Sequence, residues 1–150
     1  MNSFKSFLYF ICIVLLANCA TYKAQFSDGE KSKKLNNTSK IAHSFYLIGD
    51  AGNSTMQEDS PALKYLKKNI KGASENSTLI FLGDNVYETG IPKKKSKKYP
   101  LAKRRVKAQT DVTKYFKGKS IFIPGNHDWY NGLEGLKREE KLVEKALGKK

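Results

Sequence analysis

The chain has 150 residues, with 28 Lys or Arg against 14 Asp or Glu, so its net charge is +14. This basic balance excludes an acidic protein that mimics a polyanion, and it favours anionic partners. A hydrophobic share of 39% with 11% aromatic residues excludes wholesale disorder, and the length allows one domain at most.

Residues 1–18 are predicted to form a signal peptide. Lys5 precedes an apolar run at 7–17, which is shorter than the roughly 20 apolar residues of a membrane-spanning helix but long enough for a signal-peptide core. The run ends in the Leu-Ala-Asn-Cys stretch at 16–19, which resembles the lipobox of bacterial lipoproteins. The resemblance implies lipidation of Cys19 and export to the periplasm or cell envelope, with a lipid anchor in the membrane. Ordinary cleavage and an uncleaved anchor are the alternatives.

The stretch that follows is predicted to be a tether. Residues 20–42 are rich in Lys, Ser and Asn and show no sustained periodicity. With Cys19 they form a lipidated cysteine and polar tether at 19–42, which leaves residues 43–150 for the fold. Both cysteines precede that region, so any metal bound there must have oxygen and nitrogen ligands.

Three short apolar runs in residues 43–150 predict β-strands at 44–48, 78–82 and 120–123. None of them alternates with polar residues, which is typical of strands buried on both faces of a parallel sheet.

A helical pattern follows each predicted strand. The first helix has Ser60 as its cap, Pro61 at its first position and Gly72 after its end. The second is predicted at 101–116 and the third at 134–147. Strands and helices that alternate in this way predict an α/β domain of βαβαβα order with parallel strands and right-handed crossovers.

Polar side chains follow all three strands, in the turns at 49–52, 83–87 and 124–130. The carboxyl ends of parallel strands share one edge of a sheet, so we expect two carboxylates, an amide, an imidazole and a phenol to converge there. Neighbouring carboxylates repel each other unless cations compensate them. A pair of bound metal ions activates water for phosphoryl displacement, which indicates hydrolysis of phosphate esters or anhydrides.

The three turns resemble the first three motifs of the calcineurin-like metallophosphoesterases, in the purple acid phosphatase branch: Gly-Asp-x-Gly, Gly-Asp-x-x-Tyr and Gly-Asn-His-Asp. The resemblance implies an acid phosphatase-like hydrolase with two metal ions, iron paired with iron, zinc or manganese. By resemblance, Asp50 binds the first metal, Asp84 bridges both, Tyr87 is a phenolate ligand and Asn126 is an amide ligand of the second metal.

The same resemblance implies two catalytic residues and a fold. His127 stabilises or protonates the leaving oxygen, and Asp128 orients His127. The implied fold is the N-terminal half of an α/β/β/α sandwich, and the implied substrate is a phosphorylated small molecule or macromolecule.

Two histidine motifs of the family, Val-x-x-His and Gly-His-x-His, have no counterpart among the two histidines of the chain. We therefore expect a fragment or truncated product that is inactive alone. The alternative is a basic, membrane-tethered binding module or a decayed fragment without catalysis.

Most residues at 93–107 are Lys or Arg. This run predicts either electrostatic steering of a phosphorylated substrate or docking onto anionic headgroups. A solvated loop that leads into a helix is the alternative. Specific binding of nucleic acid is not expected, because Tyr99 is the only aromatic residue in the run and cannot form a stacking platform alone.

Overall fold

The computed structural model describes residues 40–148 of the chain. The predicted signal peptide, Cys19 and all but the last residues of the predicted tether lie outside this range. Three parallel strands form one sheet in the order β1-β2-β3: β1 is Ser44–Ile48, β2 is Ser77–Phe81 and β3 is Lys119–Phe122. The three predicted strands are confirmed, each within one residue.

Three helices alternate with the strands: α1 (Pro61–Asn69), α2 (Tyr99–Thr113) and α3 (Gly132–Leu147). Short 3-10 turns follow α1 at Ile70–Gly72 and precede α3 at His127–Asn131. The predicted α/β class is confirmed, and the arrangement is consistent with part of a metallophosphoesterase fold.

The helix boundaries follow local chemistry. Ser60 caps α1, because its hydroxyl oxygen accepts a hydrogen bond from the Leu63 amide at 3.4 Å. Helix α2 begins two residues before the predicted start, and Pro100 occupies its first turn, where a missing amide proton costs nothing. Gly148 ends α3 in the left-handed conformation with φ of +68°.

The main core lies between one face of the sheet and helices α1 and α2. Alternate strand residues reach this face, and Leu79 and Phe81 of the central strand are fully buried there. Leu63 and Leu66 from α1 and Val112 from α2 pack in the same cluster. The stacked rings of Phe81 and Phe122, 4.2 Å apart, extend this core from β2 to β3.

The opposite face of the sheet is open at β1, where the Phe45 and Leu47 side chains are 65% and 59% exposed. The prediction that the strands are buried on both faces is therefore wrong for β1 within residues 40–148. Its pattern of alternating exposure has a simple reason: the core that contains Tyr46 and Ile48 covers one face only.

A second, smaller cluster supports the loop that follows β2. Val86 and Ile91 of this loop are fully buried against Ala102 and Val106 of α2, and Leu142 of α3 packs on them. The two helices thereby hold the loop in place beside the sheet edge. In the part of the chain that the structure describes, no helix is both long enough and apolar enough to span a membrane.

Candidate metal centre

The three turns after the strands meet at the carboxyl edge of the sheet. The Asp50 amide donates to the Gly83 carbonyl at 3.1 Å, and the Gly52 amide donates to the Asp84 carbonyl at 3.0 Å. In return, the Tyr87 amide donates to the Gly52 carbonyl at 3.2 Å. Backbone hydrogen bonds therefore fix the first two turns against each other, as the shared edge of a parallel sheet predicts.

Two glycines let the second and third turns approach each other. A Cβ atom on Gly83, whose φ is +111°, would lie 2.7 Å from the Gly125 backbone. A Cβ atom on Gly125 would lie 2.3 Å from both the Asp84 amide nitrogen and one Asp84 carboxylate oxygen. Only glycine leaves room for this contact between the turns.

Asp50 and Asp84 share an uncommon backbone conformation, with φ of +54° and +53°. Left-handed backbone costs energy in a residue other than glycine and often occurs at functional sites. The Tyr87 hydroxyl oxygen lies 2.5 Å from an Asp50 carboxylate oxygen and 2.9 Å from an Asp84 carboxylate oxygen, so the two aspartates share its single proton. These hydrogen bonds, first the one to Asp50, raise the pKa of the Tyr87 phenol, and burial adds to the effect.

The chemistry of this donor set fits a metal cation. Two carboxylates and a phenol are oxygen ligands of the kind that iron, manganese or zinc accepts, and a cation between them would relieve the repulsion of two negative charges. These residues form only part of a ligand set. Among residues 40–148, no three Asp, Glu, His or Cys side chains lie close enough together to hold a metal. Tyr87 brings the donors at this point to three.

Asn126 lies in the third turn and is exposed. Its side-chain amide donates to the Tyr130 hydroxyl at 3.2 Å. The next residue, His127, is tied directly to the carboxylates, because its backbone amide donates to Asp84 at 3.1 Å. The third turn is therefore attached to the pair of aspartates through the backbone beside Asn126.

The His127 ring is held in a defined orientation. Its Nδ1 atom lies 2.6 Å from the Glu88 carbonyl oxygen, which can only accept, so Nδ1 carries the proton. The ring lies between Tyr87 and Tyr130, with centroids 4.6 and 4.9 Å away. Nε2 remains the atom that can exchange a proton with a ligand. Sequence reasoning missed the role of Glu88, because a backbone carbonyl leaves no side-chain signature.

The expected role of Asp128 is corrected by its contacts. Its side chain is fully buried and accepts hydrogen bonds from the backbone amides of Asn85, Val86 and Gly125, at 3.1, 2.9 and 2.8 Å. Asp128 therefore joins the second turn to the third, and the Glu88 carbonyl takes the orienting role at His127. The physical reason is that a buried carboxylate needs several donors, and the free backbone amides of two turns supply them.

A buried polar network supports these turns from below, and sequence reasoning missed it. The side-chain amide of Asn85 donates to the Ile123 carbonyl at 2.9 Å and to the Glu139 carboxyl at 3.1 Å. Glu139 is 5% exposed; burial, then the neighbouring Asp128 charge, raises its pKa to about 8. The sequence signal of this network is Glu139 itself, an acid that falls between Leu136 and Val143 on the apolar face of α3.

Arg105 of α2 links the segment just after the first turn to the second turn. Its Nε atom donates to the Ser54 carbonyl at 3.0 Å, and its Nη1 atom donates to the Tyr87 carbonyl. Burial lowers the pKa of this guanidinium. By helical spacing Arg105 shares a face of α2 with Leu101, Ala108 and Val112, and an arginine on such an apolar face is the sequence signal of this link.

Comparison with known proteins agrees with this geometry. The family model described as calcineurin-like phosphoesterase matches residues 43–149, which is most of the chain and includes all three turns. No curated protein and no solved structure matches the chain. The matched region and the convergent turns together show that the chain belongs to the calcineurin-like phosphoesterases.

Proposed function

We propose that this protein hydrolyses phosphate esters or anhydrides at the edge of the sheet where Asp50, Asp84 and Tyr87 meet. The observation that carries the proposal is the single Tyr87 hydroxyl that bonds both carboxylates, with the third turn attached to Asp84 through the His127 amide. Calcineurin-like phosphoesterases are phosphoester hydrolases with a dinuclear metal centre, and the family match covers these residues.

In this proposal Asp50, Asp84, Tyr87 and Asn126 would hold two metal ions. When bound, such a pair supplies a water of lowered pKa and charge stabilisation for phosphoryl displacement. The chain itself supplies orientation: Arg105 and Asp128 lock the turns, so that the carboxylates are preorganised before any ligand arrives.

His127 holds and moves the proton of the leaving oxygen. The Glu88 carbonyl fixes the proton on Nδ1, so a second proton on Nε2 is the one available for transfer. The rings of Tyr87 and Tyr130 restrict the imidazole, which keeps Nε2 aimed at one region. This is general acid catalysis by a histidine of fixed orientation.

The purple acid phosphatase branch is part of the proposal, and the contact of Tyr87 with both carboxylates supports it. We further propose that turnover needs histidine ligands beyond the two in this chain. An iron ion paired with iron, zinc or manganese is the metal pair proposed, because carboxylate, phenolate and amide are ligands for hard or borderline ions.

We also propose that the protein is exported to the periplasm or cell envelope and anchored to a membrane through a lipid on Cys19. The support is the sequence alone: an apolar run at 7–17 that ends just before Cys19. Growth with an alkyne-tagged fatty acid should label the wild-type protein and leave Cys19→Ser unlabelled. Equal labelling of both would refute the anchor.

A basic, membrane-tethered binding module without catalysis is the second candidate function. The observation that favours it is the size of the ligand set. Among residues 40–148, no three Asp, Glu, His or Cys side chains lie close enough together to hold a metal ion. Hydrolysis of a phosphate ester by the complete gene product distinguishes the two candidates.

The test of the enzyme is turnover in the presence of added metal. Asp84→Asn should abolish it, whereas Lys68→Gln, an exposed substitution on α1, should leave it unchanged. Full turnover in Asp84→Asn, or none in the wild-type complete gene product, would contradict the proposed function.

A further inference from the structure

A groove of about 570 Å³ lies between α2 and α3. Its lining contains no Asp or Glu among the described residues, and its basic residues are Lys94, Lys103, Lys107, Arg138, Lys141 and Lys145. We propose that this groove binds the surface of a bilayer that contains anionic lipids. The proposal is independent of the metal centre and of any lipid on Cys19.

On each of the two helices, the lysines that line the groove are four residues apart and therefore lie on one face of that helix. Lys103 and Lys107 stand four residues apart on α2, and Lys141 and Lys145 stand four apart on α3. Like charges at this spacing destabilise a helix, so packing within the protein does not favour them. Lys141 and Lys145 line the groove without an ion pair in the described part of the chain, so an anion bound there would relieve their repulsion.

Most of these cations remain available. Lys107 pairs with Asp111, and Arg138 donates to the Ile91 carbonyl. The other four have no ion pair within the described part of the chain: Lys94, Lys103, Lys141 and Lys145.

The acids of α3 that line a groove lie on the side away from α2. Glu140 and Glu144 line a different groove, on the side of α3 that faces β3. Lys141 and Lys145 line the groove towards α2. The side towards β3 also carries Lys137 and so mixes the two signs, whereas the groove towards α2 is lined by cations without acids. This separation keeps the potential of the groove positive.

The groove also has apolar residues, which indicate the kind of anion. Tyr99, Val106, Leu142 and Ala146 line it between the lysines. A lipid headgroup carries its phosphate beside a glycerol backbone and acyl chains, so it offers an apolar part next to the charge. Lysine stems can lie along such a surface while their ammonium groups contact phosphates. A nucleic acid would leave Ala146 and the exposed parts of Tyr99 and Leu142 without an apolar partner.

The test is co-sedimentation of the full chain with vesicles of phosphatidylcholine, with and without phosphatidylglycerol. The measured quantity is the affinity for vesicles with phosphatidylglycerol divided by the affinity for vesicles without it. Insertion of the apolar run at 7–17 does not depend on lipid charge, so its contribution cancels in this ratio. Lys141→Gln/Lys145→Gln should lower the ratio on the order of 30-fold, at about fivefold per lysine. The matched control Lys68→Gln/Lys71→Gln removes the same charge from exposed positions and should lower it much less.

Ala146→Glu is a second variant, because it places an acid in the groove at an exposed helical position. It should also lower the ratio, and circular dichroism should show an unchanged fold in all variants. Equal loss in the groove variant and the control would overturn the proposal, since net charge alone would then act. The proposal also fails if the groove variant loses affinity for a short RNA while its vesicle ratio stays at the wild-type value.

Discussion

His127 is oriented by the backbone and not by an acid. The Glu88 carbonyl oxygen accepts a hydrogen bond from His127 Nδ1 at 2.6 Å, and the His127 backbone amide donates to Asp84. Because a carbonyl oxygen can only accept, the ring keeps a proton on Nδ1 and leaves Nε2 free to face a ligand. The side chain can therefore act through Nε2 without a carboxylate partner.

His127→Ala should keep bound metal and lose activity unevenly. Esters with poor leaving groups need a proton on the leaving oxygen, so their hydrolysis should slow by on the order of 10²–10⁴, whereas activated esters should slow much less. Rates of the complete gene product with a series of phenyl phosphates of different leaving-group pKa test this. An equal loss for all esters would assign His127 a structural role.

Tyr87→Phe removes the hydroxyl that bonds both Asp50 and Asp84. If Tyr87 binds ferric iron as a phenolate, the iron-loaded wild-type protein should absorb in the visible range and the variant should be bleached. Visible spectroscopy of both proteins at equal iron content is the measurement. An unaltered band would remove Tyr87 from the metal ligands.

At the scale of the elements, the packing of the second turn against the third depends on Gly125. Gly125→Ala should destabilise the protein by about 1–3 kcal/mol, because its Cβ atom would lie 2.3 Å from the Asp84 amide nitrogen. Gly72→Ala is the matched control, since a Cβ atom there has no heavy atom within 4 Å. Urea unfolding measures both. Equal stability of the two variants would contradict the close contact.

The strands and the positions of the turns could be predicted from sequence because each buried run is short, apolar and followed by glycine. Asp50, Asp84, Tyr87 and His127 could be placed at one edge because parallel topology leaves no other arrangement. The partners of Asp128 could not be predicted, because they are backbone amides whose positions depend on how the turns pack. The exposure of Phe45 was missed because an apolar run does not specify how many faces are covered.

At the scale of the whole molecule, Glu139 couples stability to pH. Its carboxyl lies beneath the turns, and its pKa is raised from the ordinary value of 4.5 to about 8 by burial first and then by the Asp128 charge. Between these two values the folded state keeps a proton that the unfolded state releases. Stability from this group is therefore present below pH 4.5 and is lost as pH rises towards 8.

Glu139→Gln keeps a neutral side chain of the same size and removes this titration. The free energy of unfolding of the variant minus that of the wild type should rise with pH between about 4.5 and 8, by up to about 1.4 kcal/mol per pH unit, and then level off. Urea unfolding of both proteins across this range tests the prediction. Parallel pH profiles would show that Glu139 is ionised in the folded protein.

The candidate metal centre and the basic groove lie in different parts of the fold. The turns with Asp50 and Asp84 close the carboxyl edge, whereas the basic groove lies between α2 and α3. Catalysis and attachment to a surface would then use different parts of the chain, so variants at one site should leave the other unchanged.

Metal content per chain, measured by mass spectrometry on the complete gene product after dialysis, tests the central claim most directly. The wild type should retain about two metal ions. Asp84→Asn should lose most of them, because one of the two carboxylates that would hold the ions is gone. The control Asp59→Asn, which breaks only the ion pair with Arg104, should retain them. Unchanged metal content in Asp84→Asn would contradict the assignment of these turns as a metal centre.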